Sequence, residues 1–534
     1  MKVKQVVLAG LSLLLASGMT APLGFAQGRR GGAAGDEVDQ AQGRRGGGQQ
    51  AAAQTNQASA AAPPRGPAPE DKMVATLHTA KIGGQQISYK ATTGTIVLKS
   101  DDGTALASVF YVAYTKEGVD DISKRPVAFS YNGGPGSASM FVHMGFGPRR
   151  VVLTPDGHGM PAPYSIVDND DSFLDATDLV FVDAISTGYS RPAPGENPSQ
   201  FHGLTEDANA FANFIRLYIT RNGRWDSPKY LIGESYGTTR SAALSGALQQ
   251  RYQIYLNGIV LVSTVLNFQT LQAAPGNDLP YSVFLPTFAT TAWYHHLLSA
   301  EMQKLSVDQV AQQAREFADG EYATALMHGD QLSAPEHQKV VDQLARFTGL
   351  SKKYIEETDL RINARRWFKE LERDKRRTVG RLDSRFEGID ADAAGEGPEY
   401  DPSEASYEGA FVAAFEDYVR RELKYETDME MLATGPVQPW NYPQNRYADV
   451  SETLRAAMTR QTYLKVLVVC GYYDVATAFH GIEFTVNHMG LDPAIRKNIS
   501  FTYYEAGHMV YIDEKAHGKL HKDVTSFINS SYAH

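Results

Sequence analysis

The sequence contains almost no cysteine and no surplus of basic residues, and both absences restrict what the protein can be. Cys470 is the only cysteine among 534 residues, so no disulfide can form within the chain. In an exported protein this absence favours a bacterial periplasmic or secreted origin. The formal net charge is −10 at pH 7, which gives no support for a nucleic-acid partner.

A long apolar run is also missing. The run Val6 to Met19 is shorter than the roughly 20 residues that a membrane-spanning helix needs, so no stable membrane insertion is expected. It follows a basic start and leads to Gly24-Phe25-Ala26, which matches a signal-peptidase site. Residues 1–26 are therefore predicted to be a signal peptide, and the mature protein is expected to be exported, either periplasmic or secreted.

Residues 27–71 form a low-complexity segment rich in Gly, Ala, Gln and Arg, in which the hexamer QGRRGG occurs twice. This segment cannot bury enough apolar surface to offset the entropy of ordering, so it is predicted to be disordered.

Beyond residue 71, short apolar β-prone runs alternate with helical patterns. Strands are predicted at 86–90, 94–98, 107–114, 126–131, 179–183, 257–264, 465–470 and 499–504, and a helix at 204–220. This alternation predicts a mostly parallel sheet with helices on both faces, built from residues 72–266 and 442–534. The intervening block, 267–441, is charged and helix-rich, with its most polar helix at 361–377. It is predicted to be an inserted helical cap over the carboxyl edge of the sheet.

The segment KYLIGESYGTTRSAA places Ser235 between a short strand and a helix, flanked by Gly233 and Gly237. Strand, sharp turn and helix with a serine at the tip describe the nucleophile elbow of α/β-hydrolases. Such a serine needs a base and an acid that follow it in the order Ser, Asp, His. His508 lies in a glycine-flanked turn after the last strand, and Asp474 directly follows the strand KVLVVCG.

Two alternatives remain for the acid. Asp474 could be a helix N-cap, and Asp513 is a competitor, although it lies beyond His508. The oxyanion hole is predicted to use the N–H groups of Gly134, in the loop NGGPG, and Tyr236, which follows the nucleophile. The other interpretation of NGGPG is a simple tight turn.

Together, NGGPG, GESYG, GYYD and AGHMV resemble the serine carboxypeptidase family, as does the segment DAISTGYS from Asp183 to Ser190. The resemblance implies an α/β-hydrolase of a bacterial type without disulfides. It implies hydrolysis of C-terminal residues from peptides through an acyl-enzyme, favoured at acidic pH, with no cofactor and no metal. It also implies that Asn132, Gly133 and Glu234 bind the terminal carboxylate of the substrate.

Three positions depart from the family pattern. Ser130 stands where the family commonly has Trp, Gly145 where it has a second Glu, and Ser137 where it has Cys. The first two departures weaken the expected carboxylate pocket.

Other functions remain open. A proline iminopeptidase-like aminopeptidase also carries a GGPG loop, and an esterase or acyltransferase could use the same catalytic groups. A cell-envelope binding protein could keep the fold without turnover. The oligomeric state and the side-chain preference cannot be derived from the sequence.

Overall fold

A computed structural model describes residues 66–532. The predicted signal peptide, 1–26, and residues 27–65 of the low-complexity segment lie outside the described residues. The last residue of that segment, Asp71, accepts a hydrogen bond from the N–H of Val97 (2.7 Å) and forms an ion pair with Arg221 (3.0 Å). The chain is therefore held against the folded core one residue before the first strand.

One large sheet organises the described residues. The strands are β1 (Lys72–Ile82), β2 (Gln85–Lys99), β3 (Ala105–Lys116), β4 (Val127–Tyr131), β5 (Arg149–Val151), β6 (Ile166–Asp168), β7 (Asp178–Val182), β8 (Arg191–Pro192), β9 (Lys229–Glu234), β10 (Gly258–Val262), β11 (Thr378–Val379), β12 (Glu387–Gly388), β13 (Lys465–Gly471) and β14 (Ile499–Tyr504). The order in the sheet is β1-β2-β3-β7-β4-β9-β10-β13-β14, and β8 pairs with β3. The pairs β1–β2, β2–β3 and β3–β7 are antiparallel. The strands β7, β4, β9, β10, β13 and β14 lie next to one another in this order and run parallel.

Some helices cover both faces of this sheet, and others form a separate layer described below. The helices are α1 (Met140–Phe146), α2 (Leu204–Arg221), α3 (Tyr236–Tyr252), α4 (Leu279–Tyr294), α5 (Val307–Phe317), α6 (Ala323–His328), α7 (Ala334–Thr348), α8 (Lys352–Glu357), α9 (Ala364–Glu370), α10 (Pro402–Arg421), α11 (Ser451–Arg460), α12 (Phe479–Asn487), α13 (Pro493–Arg496) and α14 (Glu514–Tyr532). One hydrophobic core lies under α1, α10 and α14, and another lies under α2, α3 and α11. This arrangement is the α/β-hydrolase fold.

The segment between β10 and β13 builds the inserted helical cap. Helices α4 to α9 share a hydrophobic core of their own, in which Trp367 stacks on Phe288 with ring centroids 4.3 Å apart. The later helix α10 instead packs into the core of the sheet beside α1. The block 267–441 therefore contributes to two separate cores.

The parallel strands and the helix at 204–220 confirm the sequence predictions. Two details differ. The predicted strands 86–90 and 94–98 are one strand, β2, because pairing with β1 and β3 continues across them. The predicted helix 361–377 is limited to α9, because the chain then turns into the short strand β11, which pairs with β12. Among residues 66–532, no helix is both long and apolar enough to cross a membrane.

Candidate active site

Ser235 lies at the sharp turn between β9 and α3. Its backbone has φ 59° and ψ −129°, a strained conformation for a residue with a side chain. The turn is tight, because a Cβ on Gly233 would lie 2.2 Å from the carbonyl oxygen of Gly237. The surrounding structure enforces this strained turn. The turn presents the half-buried Ser235 at the carboxyl edge of the sheet.

His508 and Asp474 meet at the ends of β14 and β13. His508 Nδ1 lies 2.9 Å from Asp474 Oδ2, and both side chains are buried. The other oxygen, Asp474 Oδ1, accepts from the N–H groups of Ala476 (2.9 Å) and Thr477 (3.0 Å). Asp474 therefore combines the turn-capping role and the histidine contact that the sequence offered as alternatives.

The loop of His508 is tied to the strand beside the elbow. Ser263 Oγ donates to the carbonyl oxygen of His508 (2.6 Å), and the N–H of Ser235 donates to Val262 (3.0 Å). No hydrogen bond joins Ser235 Oγ to His508 within the described residues. In an enzyme without substrate such contacts are often long and tighten when substrate binds.

The pKa of His508 reflects opposing influences. Burial is the largest single influence and lowers it, but the neighbouring carboxylates, chiefly Asp474, together prevail and the net pKa is raised above the ordinary value. Glu234 raises it further and Arg381 opposes this. A histidine held in this way by a carboxylate is suited to accept a proton from a hydroxyl group.

The loop NGGPG packs directly against the elbow. A Cβ on Gly133 would lie 2.4 Å from the backbone nitrogen of Tyr236, so the two backbones touch. Gly134 follows with φ 100°, in a turn closed by the N–H of Ser137 donating to Gly133 (3.1 Å). Because Tyr236 is the first residue of α3, its N–H has no acceptor inside the helix.

Asn132 and Glu234 form a buried pair beside Ser235. Asn132 Nδ2 donates to Glu234 Oε1 (2.7 Å), and its Oδ1 accepts from the N–H of Val142 (3.0 Å), which fixes the orientation of the amide. Glu234 Oε2 has no hydrogen-bond partner of standard geometry within residues 66–532. Burial raises the pKa of Glu234 to about 7, an effect that His508 opposes.

The model of a known family, the serine carboxypeptidases, matches residues 83–502. The chain belongs to the serine carboxypeptidase family. The matched range contains Asn132, Glu234, Ser235 and Asp474 but ends before His508, whose position rests on the geometry above.

Solved structures also resemble this chain, at low identity. A carboxyl esterase from Bacillus coagulans has 11% identity and a TM-score of 0.33, with 82% of this chain and 97% of that chain covered. An epoxide hydrolase from Aspergillus niger has 12% identity and a TM-score of 0.34, with 83% and 78% covered. A search of curated proteins found no match.

This family member differs at Gly145, where a second Glu is common. The ring of Tyr511 fills that space, because a Cβ on Gly145 would lie 2.3 Å from the ring. Ser130 is fully buried in β4, and its hydroxyl has no partner within the described residues. Tyr511 was not predicted from the sequence, although its position three residues after His508 placed it near the site.

Asp513, the competing acid, lies elsewhere. Its Oδ2 pairs with Arg385 (2.9 Å), and its Oδ1 accepts from the N–H of Ala516 (2.9 Å). His508 is therefore paired with Asp474 and not with Asp513.

A cap loop, residues 380–386, reaches both catalytic loops and was missed by sequence reasoning. The N–H of His508 donates to Leu382 (2.7 Å), and the N–H of Val475 donates to Arg381 (3.1 Å). Asp383 Oδ2 accepts from the N–H of Gly507 (3.1 Å). We call residues 380–386 the bridging loop. No local sequence pattern indicates it, because its partners lie about 100 residues further along the chain.

A second missed element covers the loop NGGPG. In residues 432–441, the N–H of Gly435 donates to Gly136 (2.8 Å), and Trp440 Nε1 donates to Tyr236 Oη (3.0 Å). We call residues 432–441 the covering segment. It holds an aromatic side chain against the residue after the nucleophile.

One group of possible metal ligands does come together among the described residues. His295, Glu372 and Glu387 place one ligand atom each within 4.8 Å of one another. The ammonium of Lys375 already pairs with Glu372 (2.8 Å), which disfavours a second cation. The group lies behind the bridging loop, where His295 Nε2 contacts the carbonyl oxygen of Ser384 (2.7 Å).

Proposed function

We propose that this member of the serine carboxypeptidase family is an active serine-type carboxypeptidase that removes C-terminal residues from peptides. The family supports a serine hydrolase, and the finer assignment rests on one observation. A buried carboxyl group, Glu234, lies next to the nucleophile; one oxygen is bound to Asn132, and the other has no partner at standard hydrogen-bond geometry among the described residues.

The proposed reaction uses the groups described above. Ser235 attacks the scissile carbonyl while His508 accepts its proton, and Asp474 orients the histidine. The N–H groups of Gly134 and Tyr236 stabilise the oxyanion, and one such donor lowers the barrier by about 3–4 kcal/mol. His508 then protonates the departing amine, and water hydrolyses the acyl-enzyme.

Removing a C-terminal residue requires a carboxylate site on the leaving-group side of the nucleophile. Asn132 begins the loop NGGPG, and Glu234 directly precedes Ser235, and this closeness to the reacting groups supports assigning both to that carboxylate site. Gly133 contributes backbone only, because the elbow leaves no room for a side chain there. A protonated Glu234 donates a hydrogen bond to the substrate carboxylate, whereas an ionised Glu234 repels it.

This requirement limits activity to a window of pH. Glu234, whose pKa burial raises to about 7, must be protonated to bind the carboxylate, while His508 must be neutral to act as a base. The two groups titrate as a coupled pair, because a protonated Glu234 no longer raises the pKa of His508. The substrate carboxylate should therefore bind more tightly at acidic pH, and protonation of His508 should set the lower pH limit of activity.

A panel of blocked peptides tests the proposal. Peptides acetylated at the N-terminus should lose their last residue, and peptides amidated at the C-terminus should resist, as followed by mass spectrometry of the products. A requirement for a free N-terminal amine would support the aminopeptidase instead. A fluorophosphonate probe should label the wild type and not Ser235→Ala, and no labelling of folded wild type would refute an enzymatic role.

We also propose that the protein is exported and acts on peptide substrates without stable membrane insertion. The support is the N-terminal pattern that ends at Ala26. N-terminal sequencing of protein from the periplasm or medium of an expressing bacterium should begin at Gln27. Full-length protein confined to the cytoplasm would contradict export.

A further inference from the structure

The ring of Tyr511 is fixed against the helix that follows the oxyanion loop. It lies in the turn Val510–Ile512, directly after His508, and is buried. Its ring packs edge-on against Phe146, with centroids 4.9 Å apart, and fills the space above Gly145. This packing leaves the ring little freedom, so the position of its hydroxyl group is determined by the fold.

The hydroxyl of Tyr511 lies beside the Asn132–Glu234 pair and interacts with both residues, but not at standard hydrogen-bond geometry. Burial raises the pKa of Glu234, and the Tyr511 hydroxyl is among the neighbours that oppose this rise. Yet within residues 66–532 neither Tyr511 Oη nor Glu234 Oε2 has a partner at standard hydrogen-bond geometry. A buried polar atom without a well-formed hydrogen bond costs about 1–3 kcal/mol, so two such atoms beside each other require an explanation.

A carboxylate is the ligand that fits these groups. The Tyr511 hydroxyl, the protonated form of Glu234 and the second hydrogen of Asn132 Nδ2 are all donors. A carboxylate offers two oxygens that accept several hydrogen bonds, and bonds to an ionised acceptor are roughly twice as strong as neutral ones. Burial raises the pKa of Tyr511 well above its ordinary value, so the hydroxyl remains a donor at every working pH.

We propose that Tyr511 is a substrate-binding residue whose hydroxyl donates a hydrogen bond to the terminal carboxylate of the peptide, beside Asn132 and Glu234. The assignment rests on the proposed carboxypeptidase function. Residues 508–512 then have two roles, because this segment supplies both the base, His508, and one contact to the leaving group.

The test compares Tyr511→Phe with wild type and with a matched control, Tyr418→Phe. The phenylalanine keeps the ring that fills the space above Gly145. Tyr418 is equally buried, but its hydroxyl bonds Tyr114 (2.9 Å) in the core. The measurements are KM and kcat for an N-blocked peptide with a free C-terminus and for its amide, the rate of fluorophosphonate labelling, and the melting temperature.

Tyr511→Phe should raise KM for the free acid about tenfold or more, with a much smaller change in kcat and in KM for the amide. Tyr418→Phe should leave the ratio of the two KM values unchanged. An unchanged KM for the free acid, an equal rise for acid and amide, or loss of labelling would overturn the assignment. If the wild type itself does not prefer the free acid, the proposed function fails first.

Discussion

At the residue scale, the site depends on one oxygen of Asp474 and one oxygen of Glu234. Asp474 Oδ2 accepts from Thr477 Oγ1 (2.6 Å) and contacts His508 Nδ1 (2.9 Å), so the acid is itself held in place. Glu234 uses Oε1 to bind Asn132 and leaves Oε2 without a partner among the described residues. Both oxygens of Asp474 have hydrogen-bond partners within the protein, which fits a residue that positions the histidine. One oxygen of Glu234 has no such partner among the described residues, which fits a residue that binds substrate.

Replacing Asp474 tests the first role. Asp474→Asn keeps the shape but presents an amide, which no longer stabilises the protonated imidazole and favours the wrong tautomer. We expect kcat to fall by about 10⁴ while the melting temperature changes little. Asp513→Asn is the comparison, since it alters the rival acid; its pair with Arg385 supports the His508 turn, so we expect a loss of kcat that is much smaller than in Asp474→Asn. A larger loss of kcat in Asp513→Asn than in Asp474→Asn would contradict the assignment.

Replacing Glu234 tests the second role. In the wild type, KM for a peptide with a free carboxylate should rise about tenfold per pH unit above pH 7, because the pKa of Glu234 is about 7 and only its protonated form binds. Glu234→Gln is neutral at every pH, so this rise should disappear and the optimum should move upward. His508 and Asp474 remain in both proteins, and an ester substrate controls for their titration. The same rise in Glu234→Gln would exclude Glu234 as its source.

At the element scale, the bridging loop joins the cap to both catalytic loops. Its Asp383 is buried and pairs with Arg385 (2.7 Å), which also pairs with Asp513 (2.9 Å). Asp383 in turn accepts from the N–H next to His508. A buried charge chain therefore connects the cap segment to the turn that carries the base, and the cap supports the geometry of the site.

Breaking this chain should cost both stability and activity. Arg385→Leu leaves Asp383 as an unpaired buried charge, which costs about 3–5 kcal/mol of unfolding free energy. We expect kcat to fall as well, because the His508 turn loses its support. Arg421→Leu is the control: its pair with Asp417 is exposed and should contribute less than about 1 kcal/mol. Equal destabilisation by the two substitutions, measured by urea unfolding, would show that the buried pair has no special role.

At the scale of the whole molecule, local sequence patterns predicted the strands of the sheet well. They predicted poorly which distant segments contact the sheet and the site. The buried runs of β4, β7, β9, β10 and β13 are visible in the sequence, because a strand covered on both faces is continuously apolar. The motif at Ser235 predicted the local backbone conformation, because a tight strand-to-helix turn needs glycines on both sides of the serine.

The features that the sequence did not predict depend on contacts between segments that are distant in the chain. β1 alternates exposed and half-buried residues and becomes a strand through pairing with β2. The bridging loop and the covering segment have no periodicity, since each is defined by hydrogen bonds to partners far away in the chain. Tyr511 was missed because its importance follows from the missing side chain at Gly145, and only the structure brings these two residues together.

The central claim is that the Asn132–Glu234 pair selects a peptide with a free C-terminal carboxylate. The most direct measurement is the ratio of kcat/KM for an N-blocked peptide to kcat/KM for its C-terminal amide, taken with wild type at pH 6. At this pH most Glu234 is protonated, because burial raises its pKa to about 7. We predict a ratio of about ten or more, as expected for a charge-assisted hydrogen bond. A ratio near one would contradict the account.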